Sequence, residues 1–387
     1  MTKIEKLDHH LAEIIIASDN NSSVNYSYGG TRMVAPDIQS IEAQEICKTL
    51  MWAESLLKNR LINAALREGA LDNYKDRLPS GFLESKVGGA RCVIRAKHQE
   101  VANVLVQPDH QDWDATISPI FEAIGEFLNQ NQGDIKLTPD FGRFAGLADV
   151  LHQFTPHSLG IDCEKGGCGG KSSYSATGII SAIETLGCHH HKEKNVTLIG
   201  AAGAMGSDVL KYLLKEGYQN LAVSDLVYDS PASGITPPDN VIVCSSKQSA
   251  FTVDCLERGN LIVATTVGEE LENSFWEIIP KDSVLLLAHN MAIPSGEKGK
   301  KLMQAIQKQG VLAIPGQVLT LGGALTSRVE WFWRQSNPGM PFDKPLAHLV
   351  VTDVVKFLVV TILELSKSLN VTPYEAMLEY VGMEIEH

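Results

Sequence analysis

What this chain has little of narrows its role first. Basic residues are outnumbered: 33 Lys and Arg stand against 46 Asp and Glu, a formal net charge of −13. With no basic stripe to neutralise phosphates, we expect no nucleic-acid partner. No uninterrupted apolar run reaches the ~20 residues of a membrane span. The most apolar stretch, 349–365, contains Asp353 and Lys356 and reads as a packed helix, so no membrane partner is expected. Lys3, Glu5, Lys6 and Asp8 precede Ile14–Ile16 without the basic-then-apolar order of a signal peptide, and a cytoplasmic location is the default expectation. Cysteines are few and odd in number, seven, which points to reduced thiols rather than a disulfide framework. Internal repeats and low-complexity segments are missing. What remains is a globular composition, 44% apolar and 20% charged with a mean hydropathy of −0.03, in 387 residues that suit two or three domains.

The most informative stretch is 196–225. A short apolar run (Val196 to Ile199) meets a glycine turn (Gly200, Gly203, Gly206), then an amphipathic segment (Val209, Leu210, Leu213, Leu214), then a second apolar run, Leu221 to Val223, closed by Asp225. Strand, tight turn, helix, strand and acid in that order form a dinucleotide-binding unit. Gly200 permits the turn, Gly203 lets the backbone approach a pyrophosphate at the helix N-terminus, and Gly206 lets helix and strand pack closely. Ala204 and Met205 open that helix and share the pyrophosphate site. Asp225 is placed for an adenine-ribose diol, and its charge repels a 2′-phosphate, so NAD is favoured over NADP. The bland reading is a tight helix–strand contact in a site that has lost its ligand.

The rest of the chain supplies an α/β frame. From Ser40, an N-cap candidate, to about Glu68, apolar residues recur at three- and four-residue steps, the mark of a long helix. Val87-Gly88-Gly89-Ala90 reads as a glycine turn leading into a strand, and 135–137 as a short strand ending at Pro139-Asp140-Phe141-Gly142-Arg143. The Gly-rich piece 160–175 reads as a hinge or rim. Apolar runs at 241–244, 261–265, 284–287 and 311–314 add strands to a parallel sheet. We therefore expect two α/β domains with C-terminal helices: a substrate domain over 1–175, a Rossmann-type dinucleotide domain over 176–335, and a helical segment over 336–387 that packs back on the first domain. A homo-oligomer of open subunit number is expected, with Trp331, Phe332 and Trp333 packing between domains or subunits.

Several short motifs occur in the order seen in the glutamate/leucine/phenylalanine/valine dehydrogenase superfamily. Gly29-Gly30-Thr31-Arg32-Met33 resembles its GGTRM segment, and Gly88-Gly89-Ala90-Arg91 its glycine-rich turn ending in lysine. Asp140-Phe141-Gly142 is similar to its catalytic Asp-Val-Gly. Ala176-Thr177-Gly178, Ala288-His289-Asn290 and Leu321-Gly322-Gly323 resemble its later motifs. The resemblance implies oxidative deamination of an amino acid to a 2-oxo acid, with hydride passing to NAD across a cleft between the domains. It further implies one lysine on the substrate carboxylate, a second lysine assisting water, and an aspartate moving protons to and from the amine.

These roles can be weighed residue by residue. Asp140, at a Pro/Gly-bracketed turn, suits an acid/base group, or it caps the following helix. Thr177 suits a nicotinamide amide or the start of a helix, and Asn290 a nicotinamide ribose or an ordinary turn. Arg91 departs from the family pattern. Lysine can be tuned to shed its proton, whereas arginine stays a cation, so Arg91 suits clamping a carboxylate or stabilising an oxyanion, or a structural ion pair. The carboxylate lysine is either Lys58, by its helix, or Lys75, by its distance to the glycine turn, with Lys86 a further amine. Thr320 and Thr326 stand where the family commonly has asparagine. The reaction expected is hydride transfer between NAD(H) and a small amino, imino or 2-oxo acid. The alternatives are reduction without amination and a non-catalytic NAD- or metabolite-binding subunit. Cys163, Cys168 and Cys188-His189-His190-His191 lack a recognised zinc spacing, and no metal is expected.

Overall fold

The computed structural model describes residues 2–19, 21–141, 146–188, 194–230, 233–246, 252–266, 275–294 and 296–383. The chain forms two compact units, Met1–Lys171 with Ala324–Ala347, and Ser172–Gly323 with His348–His387. The first is built on a five-stranded sheet of β1 (Thr2–Asp8), β2 (Ala12–Asp19), β3 (Tyr26–Val34), β4 (Val87–Ala96) and β5 (Ile135–Pro139), in the order β1-β2-β4-β3-β5. β4, β3 and β5 run parallel, and β2 is antiparallel to both its neighbours. Ile14, Ile15, Ile16, Cys92, Val93 and Ile94 are all buried, so both faces of these strands are covered.

A long helix covers one face. It runs as α1 (Ser40–Leu50), a π-helical stretch (Met51–Leu56) and α2 (Leu57–Arg67). Gln39, not Ser40, stands at its N-cap, and the Ser40 hydroxyl donates instead to Glu13 at 2.6 Å. The Gly88-Gly89 pair lies inside β4 rather than in a turn. A Cβ at Gly89 would sit 2.6 Å from Leu56 Cβ, so the pair lets the π-helical stretch lie directly on the strand. The opposite face packs α3 (Gln99–Leu105), α4 (Trp113–Gln130) and α5 (Leu147–His152) into one core with Ile14, Ile16, Ile94, Phe121, Leu137 and Leu151.

The second unit holds a six-stranded parallel sheet: β6 (Asn195–Ile199), β7 (Asn220–Ser224), β8 (Ile242–Val243), β9 (Leu261–Ala264), β10 (Val284–Leu287) and β11 (Leu312–Ile314). Its order, β11-β10-β9-β6-β7-β8, is the doubly wound one that reverses direction at the first strand. The remaining helices are α6 (Ser172–Thr185), α7 (Ala204–Lys215), α8 (Val253–Arg258), α9 (Gly296–Lys308), α10 (Gly316–Leu319), α11 (Gly322–Ser336), α12 (Lys344–Leu369) and α13 (Pro373–Tyr380). α12 is long and apolar enough to cross a membrane by length and composition alone, with a mean hydropathy of 2.1, and half of that window is buried.

The division differs from the expected boundaries. The C-terminal segment groups with the first unit only to Ala347, and His348 onward groups with the second. The reason is packing: the His348 ring lies 4.6 Å from that of Tyr174 on α6, and α13 packs on α9 and β11. Trp331 and Phe332 pack within the first unit, against Tyr26.

Candidate active site

In the first unit, Lys58 feels the charges of Glu54, Arg91, Lys171 and Asp140, and Arg91 pairs with Glu54. Lys58 lies at the start of α2, just past the π-helical stretch, and is 7% exposed. Burial pulls its pKa down to about 8. Arg91 and Lys171 pull the same way, while Glu54 and Asp140 oppose them. An amine so tuned is charged at neutral pH yet can release its proton within a catalytic range. Arg91, on β4, places Nη1 2.8 Å from Glu54 Oε2, with the two side chains only 12% and 11% exposed. The pair compensates the guanidinium and fixes its direction, while Nε remains a buried donor without a hydrogen-bond partner.

Asp140 follows β5, its amide donating to the Thr31 carbonyl at 3.3 Å and its side chain exposed. Gly146, not Asp140, occupies the N-cap of α5. The loop beyond Phe141, including Gly142 and Arg143, lies outside the described residues. Lys75 is not brought to this cluster: it is exposed on the turn Asp72–Arg77, paired with Asp72 at 3.1 Å. Lys86 is exposed beside the start of β4. Of the three lysines singled out, Lys58 is the one whose charge meets Arg91.

Sequence reading missed the polar half of this cluster. Lys171 Nζ donates to the Tyr28 hydroxyl and to Thr138 Oγ1, each at 2.6 Å, and Tyr28 donates to Ser327 Oγ at 2.7 Å. Burial works against the Lys171 charge, but Tyr28, Cys168 and Glu330 outweigh it and raise its pKa. Glu330, fully buried on α11, accepts the backbone N–H of Gly160 (2.7 Å) and of Cys168 (3.1 Å). Those bonds pin the glycine-rich segment that ends at Lys171. The one local signal for any of this was Glu54, a helical turn before Lys58. Tyr28 and Lys171 meet only through the fold.

The second unit carries the glycine turn. Gly200 has φ +80, a conformation that costs other residues, and its carbonyl accepts from Thr265 Oγ1 at 3.0 Å. A Cβ at Gly206 would lie 2.0 Å from that same carbonyl, whereas one at Gly203 would meet only this oxygen, at 3.3 Å. Gly203 is the N-cap of α7 and provides no side-chain cap, and Ala204 and Met205 begin the helix. The first N–H groups of α7 are therefore left for a ligand. Asp225 accepts from the Ala202 N–H at 2.9 Å, which ties the acid to the turn. A dinucleotide fits this chemistry: the three glycines give the open cradle, and the carboxylate stands beside it.

Thr177 and Asn290 have protein partners in the same unit. Thr177, one turn inside α6, bonds Ser173 O (3.0 Å) and His348 Nδ1 (2.8 Å). Asn290, after β10, accepts from Thr320 Oγ1 at 2.9 Å. Thr326 is fully buried in the first unit. His189–His191 lie outside the described residues, among which no group of three or more His, Cys, Asp or Glu is arranged for a metal ion.

Whole-chain comparison with solved structures finds an amino-acid dehydrogenase fold. L-tryptophan dehydrogenase from Nostoc punctiforme is 16% identical with a TM-score of 0.64, over 98% of this chain and 94% of that one. The hetero-hexameric glutamate dehydrogenase from Thermus thermophilus is 12% identical with a TM-score of 0.64, over 98% and 86%. The glutamate dehydrogenase from Peptoniphilus asaccharolyticus is 13% identical with a TM-score of 0.59, over 98% and 88%. No protein-family model and no curated protein sequence matches the chain. The two-domain α/β architecture with a Rossmann-type sheet is thus shared with these enzymes over nearly its full length.

Proposed function

We propose that this chain is an oxidoreductase of the amino-acid dehydrogenase kind, exchanging hydride between NAD(H) and a small amino, imino or 2-oxo acid. The observation that carries this reading is Lys58: a buried amine in the field of Arg91 and Asp140, in a fold shared with amino-acid dehydrogenases. Lys58, as a cation, binds the substrate carboxylate. Asp140, exposed after β5, takes and returns the proton of the reacting nitrogen or oxygen. Arg91 keeps its charge throughout and, held by Glu54, stabilises negative charge that develops near the reacting carbon. The dinucleotide supplies the hydride acceptor or donor, held by the turn from Gly200 to Gly206, with Asp225 on the ribose diol selecting NAD. Thr177 and Asn290 orient the nicotinamide end.

The experiment is absorbance of NADH with ammonia and a panel of 2-oxo acids. Turnover that vanishes in Asp140→Asn is the expected result. Consumption of NADH without ammonia would favour the second reading, plain reduction of a keto or imino acid. The Arg91–Glu54 pair motivates that reading, because it puts no proton-shedding group at position 91. Binding of NADH by calorimetry with no turnover on any acid would make the chain a sensor or a binding subunit.

A further inference from the structure

Thr177 has a single hydroxyl hydrogen, and the second unit consumes it. The oxygen lies 3.0 Å from the Ser173 carbonyl, one turn back on α6, and 2.8 Å from His348 Nδ1 on α12. If Nδ1 carries a hydrogen, the hydroxyl accepts from His348 and donates to Ser173; if Nδ1 is bare, the hydroxyl donates to one of the two. In either tautomer no hydrogen is left over, so toward a ligand the Thr177 oxygen offers lone pairs alone. The imidazole that enforces this is itself aimed. Its ring lies against that of the buried Tyr174, with centroids 4.6 Å apart and the planes tilted by 32°.

The place is one where a doubly wound sheet takes its ligand, beyond the carboxyl ends of its strands. A Cβ at Gly178 would lie 2.3 Å from the Leu319 carbonyl, and one at Gly322 would lie 2.3 Å from the Tyr174 carbonyl. The first turns of α6 therefore rest directly on the end of α10. That helix is tied to the end of β10, where Gln317 Nε2 donates to the Asn290 carbonyl at 2.8 Å. Thr177 stands at this edge, partly exposed.

We propose that His348 is a positioning residue for the nicotinamide: it holds the Thr177 hydroxyl as an acceptor, so that the site selects the carboxamide through its NH2 group and not its carbonyl. The proposal deepens the reading of the second unit given above and rests on it. A primary carboxamide has donors on nitrogen and an acceptor on oxygen, and an acceptor-only hydroxyl meets only the first. Without His348 the hydroxyl hydrogen is held by the Ser173 carbonyl alone. It is then free to turn toward a ligand carbonyl, and the choice between the two ends of the amide relaxes.

The test is calorimetric binding of reduced dinucleotides to the full chain. The probes are NADH, its 3-acetylpyridine analogue, in which a methyl replaces the NH2, and its thionicotinamide analogue, which keeps the NH2 and exchanges the carbonyl oxygen for sulfur. Wild type should bind the acetylpyridine analogue about tenfold more weakly than NADH, and the thio analogue within about threefold of it. His348→Phe keeps a ring beside Tyr174 but has no Nδ1, and should shrink the acetylpyridine penalty to under about threefold. His348→Asn, whose Nδ2 is as far along the side chain as Nδ1 of histidine, should restore most of it. In Thr177→Val the penalty should vanish, and adding His348→Phe should change nothing more. A merely structural His348 would weaken all three ligands together and leave their ratios alone, which overturns the proposal. Equal wild-type affinity for NADH and the acetylpyridine analogue, or a larger penalty for the thio analogue, also overturns it while leaving the dinucleotide site standing. If none of the three binds, the proposed function fails and this inference with it. If the expected ratios appear without turnover on any acid, the role of His348 stands and the enzyme reading fails.

Discussion

The two units hold their candidate sites in different materials. In the second unit, the glycine turn is made of backbone: Gly200 takes a positive φ, Gly206 touches the Gly200 carbonyl, and the free N–H groups of α7 are what the turn offers. In the first unit the backbone only delivers, and the chemistry lies in side chains from β3, the π-helical stretch, α2, β4, the end of β5 and the segment before α6. A backbone site tolerates little change at a few positions. A side-chain site can be rebuilt one residue at a time, and here Lys58 feels Glu54, Arg91, Lys171 and Asp140 together.

Substitutions can break that contrast, beginning with the largest effect. Asp140→Asn should lower kcat for amination about 1,000-fold with NADH affinity unchanged, since a proton-transfer group is worth roughly 10²–10⁴-fold. A loss under tenfold would remove Asp140 from the chemistry. Gly206→Ala forces a Cβ against a carbonyl 2.0 Å away, and should cost about 3 kcal/mol in urea denaturation along with NADH binding. Gly203→Ala is the control for a backbone site. It should change stability by under about 0.5 kcal/mol, its Cβ meeting only the Gly200 carbonyl oxygen, yet weaken NADH in calorimetry, because the proposed pyrophosphate site is the N-terminus of α7 that Gly203 caps. Equal NADH affinity in Gly203→Ala and wild type would mean that the turn carries no dinucleotide. Arg91→Lys should raise the amination rate about tenfold by placing a titratable amine at this position; a dead variant would show that the guanidinium itself is required.

The smallest effect is in pH. With Lys58 at about 8, its positive charge fades as pH rises through that value, so KM for the acid should climb about tenfold per unit above pH 8. Lys58→Arg should flatten that limb. For stability the sign is the reverse. The folded pKa lies below the ordinary 10.5, so between about 8 and 10.5 the unfolded chain binds more protons and stability rises with pH. The cost of burying the charge is therefore fully present below pH 8, and Lys58→Met should stabilise the fold most at pH 7 in thermal melts.

How much of this was legible in the chain follows the same contrast. Val196 to Asp225 declared itself because every part of the turn is local, and the parallel strands of the second unit showed as short apolar runs between helices. β1, β2 and β3 went unassigned: β1 is an edge strand whose mixed exposure dilutes its alternation, β2 is buried on both faces, so it lacks any, and β3 carries Gly29-Gly30 at its centre instead of an apolar run. Gly88-Gly89 was read as a turn because glycine usually punctuates. Here it makes room for Leu56, a contact no window of sequence contains. Lys75 fitted better than Lys58 by distance to the glycine turn since sequence distance cannot show burial, and Lys171 was invisible since its partners, Tyr28 and Thr138, are far from it along the chain.

The π-helical stretch from Met51 to Leu56 works as a phase shifter. Each residue of an α-helix turns the next by about 100°, so the wider winding here decides which way everything after it points. Wound as plain α-helix, the same six residues would carry α2 further round its axis and swing the amine at position 58 off the sheet.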